Sequence, residues 1–256
     1  MQRFAVVSDI HGNLPALEAV LADAARHRVE EVINLGDNLS GPLWPSETAH
    51  FMMKQDWLNV QGNHDWNLLH RDPARLSLSD LNAYRALDEE ITAWLAPLPA
   101  RVERPEGILA FHGTPTIQNA YLLESIADLR THLATPNEID ARLGEFSASL
   151  LLCGHSHFPR TVQHRDMLIV CPGSVGCPAY IDNNGSGHVI ETGSPHARYA
   201  VIERQAAGWS VEQIALPYDT LSAVKKAAAN GRPDWEIALR TGFMRVGDET
   251  PSFPGM

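Results

Sequence analysis

"LLLCGHSHFPR" (Leu150–Arg160) runs three leucines and a cysteine into Gly154, then delivers His155 and His157 two residues apart. An apolar run this short reads as a buried strand, and Gly154 and Pro159 mark the loop that ends it. A strand that merely stops has no use for two imidazoles. The same pattern occurs four times upstream. "RFAVVSDIHGN" (3–13) ends in Asp9 and His11, and "EVINLGDN" (31–38) ends in Asp37. "WLNVQGNHD" (57–65) ends in Asn63, His64 and Asp65, and "GILAFHG" (107–113) in His112. Five strand candidates thus finish in groups able to hold a cation.

Helical patterns separate these strands. "NLPALEAVLADAARH" (13–27) places Leu14, Leu17, Val20 or Leu21, and Ala24 on one face, with Asn13 as N-cap and Pro15 in the first turn. "SDLNAYRALDEEITAWLAPLP" (79–99) repeats apolar residues at helical spacing until proline stops it, and predicts one helix. Strands alternating with helices indicate an α/β architecture, whose sites gather beyond the carboxyl ends of strands. The later segments "DMLIVCPGSVG", "GHVIE", "ARYAVIE" and "WSVEQIALP" read as further strands, with "NNGSG" (183–187) as a turn. "DTLSAVKKAAAN" reads as a helix closed by Gly231. The expected organisation is one domain over 1–244, with helical insertions near 66–105 and 114–148, then a loosely ordered tail at 245–256.

With 256 residues and 44% hydrophobic content, the chain can bury a real core. Its net charge of -11, without a basic run, argues against a passive nucleic-acid binder. No stretch reaches membrane-spanning length or looks like a signal peptide. Three cysteines (Cys153, Cys171 and Cys177) without a CxxC predict a reducing, cytoplasmic setting, the first two serving as small core residues.

Each motif alone is common. Together DIH, GD, GNHD, FHG and GHSH gather carboxylates, an amide and imidazoles at one rim. Buried ionisable groups are costly unless paired or bound to metal, so such a rim predicts cations. The series resembles the calcineurin-like metallophosphoesterases over roughly residues 4–180, and "ARYAVIE" and "LPYD" resemble segments of their small bacterial members. The resemblance implies a four-layer α/β/β/α sandwich: two mixed sheets face to face, with helices outside. It also implies two divalent metal ions. One would take Asp9, His11, Asp37 and His157, the other Asp37, Asn63, His112 and His155, with Asp37 bridging. If residues 155–157 are extended, His155 and His157 point to the same side and serve neighbouring ions, while Ser156 faces away. Oxygen and imidazole donors without thiolate favour manganese, iron, nickel or zinc.

The activity so implied is hydrolysis of a small phosphoester, with nucleotides among the candidates and a phosphodiester favoured because no extra cations await a dianion. A metal-bridging hydroxide would attack in line at phosphorus. By the same resemblance His64 protonates the leaving oxygen as general acid, with Asp65 orienting it. Two rivals follow from the same fold. A non-catalytic scaffold would tend to lose ligands or the GNHD histidine, yet every position is filled here. A nuclease would need a basic groove that is not visible. Arg160 reads equally as a phosphate contact or a surface residue. "CPGSVGCP" (171–178) predicts a structural turn near the metals, Trp44 and Tyr121 read as core filling ahead of stacking on a base, and the other seven histidines as ordinary surface or core residues. Oligomeric state is open.

Overall fold

The computed structural model describes residues 3–183 and 187–244. Strands and helices alternate at first: β1 (Arg3–Val7), α1 (Leu14–Arg26), β2 (Glu31–Asn34), α2 (Pro45–Met52), β3 (Leu58–Asn59) and α3 (Asn63–His70). Next come α4 (Leu78–Tyr84), α5 (Glu89–Leu95), β4 (Arg101–Arg104), β5 (Ile108–Phe111), β6 (Glu124–Ala127), β7 (Arg130–Leu133), α6 (Pro136–Leu143) and β8 (Leu150–Leu152). The remainder is β9 (Pro159–His164), β10 (Met167–Pro172), β11 (Ala179–Asp182), β12 (His188–Glu191), β13 (Ala197–Gln205), β14 (Gly208–Leu216), α7 (Thr220–Ala229) and α8 (Pro233–Thr241).

Two five-stranded sheets form the sandwich, in the orders β14-β13-β1-β2-β3 and β4-β5-β8-β10-β9. Both are mixed: β1-β2-β3 and β5-β8-β10 run parallel, flanked by antiparallel neighbours. Strand alternation builds the layers. Phe4, Val6, Ile33 and Leu35 of the first sheet meet Ile108, Ala110, Leu150 and Leu152 of the second in one buried seam. Their alternating partners face outward. Ala5 and Val7 pack on Leu17, Val20 and Ala24 of α1, and Leu109, Phe111 and Leu151 pack on Ile139 and Leu143 of α6. This is the expected α/β/β/α sandwich.

Two local expectations differ. Residues 114–148 hold a hairpin, β6-β7, as well as α6, and this hairpin joins β12 and β11 in a third sheet. Asp128 and Leu129 turn it with φ of 50° and 61°, the geometry of a type I′ turn without its usual Asn-Gly signal. The predicted helix over 79–99 divides because the Asp88 carboxylate accepts from the Ile91 amide and starts α5 afresh. Of the "NNGSG" turn, residues 184–186 lie outside the described residues, as does the predicted tail at 245–256. Asn13 caps α1 as expected, its side chain accepting from Ala16 N. Among the described residues no helix is long and apolar enough to cross a membrane.

Candidate metal centre

All five strand ends named above converge on one rim. The β1–α1 and β2–α2 loops zip together: Asp9 N donates to Gly36 O, His11 N to Asp37 O and Gly12 N to Asn38 O, at 2.9–3.0 Å. The GNHD turn stacks beneath. A Cβ on Gly62 would lie 2.2 Å from Asp37 Oδ1, so only glycine lets these loops approach. Gly154 is under the same constraint, 2.0 Å from Ser8 Oγ.

The strand ends do not stay extended. Asp9, His11, Asp37, His155 and His157 all have φ between 52° and 68°, and they make up five of the nine such non-glycine residues among the described residues. Left-handed backbone costs on the order of 1–2 kcal/mol per residue, so its concentration here marks a built site. It also corrects the extended reading of 155–157. His155 and His157 are themselves left-handed, so strand alternation does not set their directions. Ser156 does face away, its Oγ 3.7 Å from Cys171 Sγ.

Two groups of donors result. Asp9, His11 and His157 each present an atom within 4.8 Å of the others, and so do Asp37, His112 and His155. Asn63 joins the second group, its Oδ1 3.1 Å from His112 Nε2. The groups abut: Asp9 Oδ1 is 3.2 Å from His157 Nε2 and 3.9 Å from His112 Nε2. Asp37 Oδ2 lies 3.1 Å from His112 Nε2, and Asp37 Oδ1 accepts the His64 amide at 2.8 Å.

The donor chemistry fits cations. His11 Nδ1 contacts Ser40 O at 2.6 Å, His157 Nδ1 contacts Cys177 O at 2.6 Å, and His112 Nδ1 contacts Leu35 O at 2.9 Å. A carbonyl accepts only, so each Nδ1 carries the hydrogen, and in the neutral ring each Nε2 presents its lone pair. His11 Nε2 and His157 Nε2 then face each other at 3.3 Å beside the buried Asp9 Oδ1, itself 3.2 Å from His157 Nε2. Lone pairs and carboxylates so arranged repel unless a positive charge sits among them.

Protons reveal the same demand. Burial alone would lower every imidazole here, but Asp37 outweighs it at His112 and raises its pKa to about 9. Asp9 likewise lifts His157 well above the ordinary value. His11 falls to about 4 through burial and the His157 charge, and His155 to about 3 through burial and the His112 charge. In each group one imidazole is thus raised and its neighbour lowered.

Residues 2–193 match the calcineurin-like phosphoesterase superfamily domain. The chain belongs to that family. An uncharacterized protein of Methanocaldococcus jannaschii is 26% identical over 246 residues, covering 90% of this chain and 94% of that protein. A solved metallophosphoesterase from Sphaerobacter thermophilus superposes with a TM-score of 0.71 at 24% identity, covering 93% of this chain and 97% of the other. A hypothetical protein from Pyrococcus horikoshii OT3 gives 0.72 at 20% identity, covering 94% and 99%. The family is one of phosphoesterases, and the described residues of this calcineurin-like chain include two candidate metal-binding clusters.

Around the metal positions, several readings change. Asp65 does not orient His64. Its carboxylate accepts from Asp37 N, Asn38 N, Asn38 Nδ2 and Gly62 N at 2.9–3.0 Å and ties the two loops together. Burial first, then the Asp37 charge, raises Asp65 to about 7. The carboxylate on the His64 ring is Asp80 of α4, with Oδ1 2.6 Å from Nδ1. Burial opposes charge on His64, yet Asp37 and Asp80 together raise its pKa to about 10. "SLSD" (77–80) reads only as a helix cap, so nothing local advertised Asp80.

Tyr121 is not core filler. Its ring lies 4.8 Å from that of His155, and its hydroxyl meets Tyr180 OH at 2.8 Å and His188 Nε2 at 2.7 Å. His188 is thus a buried histidine that supports the rim through Tyr121. Trp44 packs with the apolar cluster around α7 and α8. Arg160 makes paired hydrogen bonds to the buried Glu124 at 2.8 and 3.0 Å. The "CPGSVGCP" turn is structural: Ser174 Oγ donates to Asp9 O and Gly176 N to the same oxygen.

Proposed function

We propose that this chain hydrolyses a small phosphodiester, a nucleotide derivative being one candidate, by in-line displacement at phosphorus. Asp9, His11, Asp37 and His157 would hold one divalent ion, and Asp37, Asn63, His112 and His155 the other, with Asp37 between them. When bound, the ions supply Lewis acidity toward the phosphoryl oxygens and make water nucleophilic at neutral pH. Manganese, iron, nickel and zinc suit the oxygen and imidazole donors. The observation that carries this reading is the set of Nε2 lone pairs and carboxylate oxygens turned on one another at 3.1–3.3 Å.

His64 supplies the remaining step. Its Nδ1 is engaged, so Nε2 is the nitrogen left to protonate the leaving oxygen, and its side chain is 28% exposed where the supposed ligands are nearly closed off. A diester is favoured because Arg160, three residues past His157, is already neutralised by Glu124. A dianionic monoester gains nothing from it.

The test is release of nitrophenol from bis-p-nitrophenyl phosphate with each metal, run beside monoesters and cyclic nucleotides, with metal content measured on the same sample. Diester turnover that disappears with chelator is expected. His64→Ala should keep both metals and lose about 10²–10⁴-fold in kcat. Inactivity with all four metals would instead favour a non-catalytic scaffold.

A further inference from the structure

We propose that Asp80 is the positioning residue for His64, supplied by the helical insertion and not by the GNHD motif; the proposal rests on the general-acid reading of His64. The geometry is specific. Asp80 Oδ1 lies 2.6 Å from His64 Nδ1, and Asp80 is 1% exposed. The only acidic rival in the motif, Asp65, is occupied by four donors. Asp80 is itself held. Its amide donates to Ser77 Oγ at 3.0 Å, and Asn67 Nδ2 approaches its other oxygen at 3.5 Å.

The helix that carries Asp80 is pinned to the rim from two sides. Gly41 N donates to Ser79 O at 3.2 Å, and Asn82 Nδ2 donates to Gly41 O at 2.7 Å, which ties α4 to the loop that follows Asp37. Arg232, at the start of α8, donates through NH1 to Ser79 Oγ at 3.0 Å. The insertion therefore carries a fixed carboxylate to a fixed place. Asp80 keeps the hydrogen on Nδ1 and aims Nε2. As the oxygen of a hydroxide, whose parent water has already given its proton to solvent, bonds to phosphorus and the P–O bond to the leaving group breaks, the Nε2 proton passes to the leaving oxygen, and His64 later regains a proton from solvent. The ring is left neutral with Nδ1–H still donated to Asp80.

The test compares wild type, Asp80→Ala, Asp80→Asn, His64→Ala and the His64→Ala/Asp80→Ala double variant, with metal content and Tm measured on each. Two diesters are used, one with a nitrophenolate and one with an alkoxide leaving group. Asp80→Ala should lose about 10–100-fold in kcat, the size typical of a supporting carboxylate, with metals retained. The loss should be larger for the alkoxide, which needs the proton more, and Asp80→Asn should recover part of it. The double variant should be no slower than His64→Ala alone, because residues acting as one unit are not additive. Losses that multiply in the double variant, or that are equal for both leaving groups, would overturn the proposal. Nitrogen NMR of the wild-type zinc-loaded protein gives a readout free of mutation and turnover: a His64 Nδ1–H donated to a carboxylate is expected. Its absence also overturns Asp80, whereas its presence in a protein inactive on every diester removes the hydrolase reading alone.

Discussion

The two donor groups at the rim use the same residue types but are held differently. In the first, both imidazoles are tethered: His11 to Ser40 O and His157 to Cys177 O, each at 2.6 Å. In the second, His112 is tethered to Leu35 O, but among the described residues no hydrogen bond holds either ring nitrogen of His155. Its ring is positioned by packing against His112 at 5.2 Å and Tyr121 at 4.8 Å. A donor already oriented loses less freedom on binding a cation. The first group is therefore the preformed one, and the second depends on its aromatic neighbours.

The largest test of this contrast is Asp37→Ala. If Asp37 bridges, both metals should be lost together and activity with them; retention of one metal would assign Asp37 to the second group alone. Next, stepwise metal titration should show two affinities, the tighter lost in His157→Ala and the weaker in His155→Ala. Equal affinities would break the contrast. Tyr121→Ala should weaken only the second metal, by about 10-fold, the lower end for a supporting contact, while Tyr121→Phe keeps the ring and changes little.

The smallest effect is in the pH dependence of the metal-free protein. His112 binds its proton more tightly when folded, so its contribution is full below pH 6.5 and is lost as pH rises through about 9. His11 and His155 behave oppositely. With folded values of about 4 and about 3, they add stability above pH 6.5 that is lost as pH falls through those values. Tm of the chelated protein should therefore peak near pH 6.5, and zinc should flatten the profile by replacing the protons.

Much of the fold was legible. Phe4–Val7 is a short continuous apolar run, the pattern of a strand buried on both faces, and Phe4 and Val6 do pack on one side with Ala5 and Val7 on the other. The convergence of Asp9, Asp37, His112 and His155 followed from placing their residues after strands of one α/β domain. The β6-β7 hairpin was not legible, because Leu129 in a left-handed turn carries no turn signal. Nor was the break before α5, since Asp88 interrupts a pattern that otherwise continues as a helix.

By itself the sequence determined which chemical groups reach the rim. Strand period and loop punctuation are local, so the groups that end each strand can be read without knowing any neighbour. Only the tertiary structure decided how those groups point. The tether on His157 comes from Cys177, twenty residues on, and the carboxylate for His64 from Asp80, sixteen residues on, past the adjacent Asp65. Orientation depends on hydrogen bonds between elements distant in the chain, and no spacing rule encodes them.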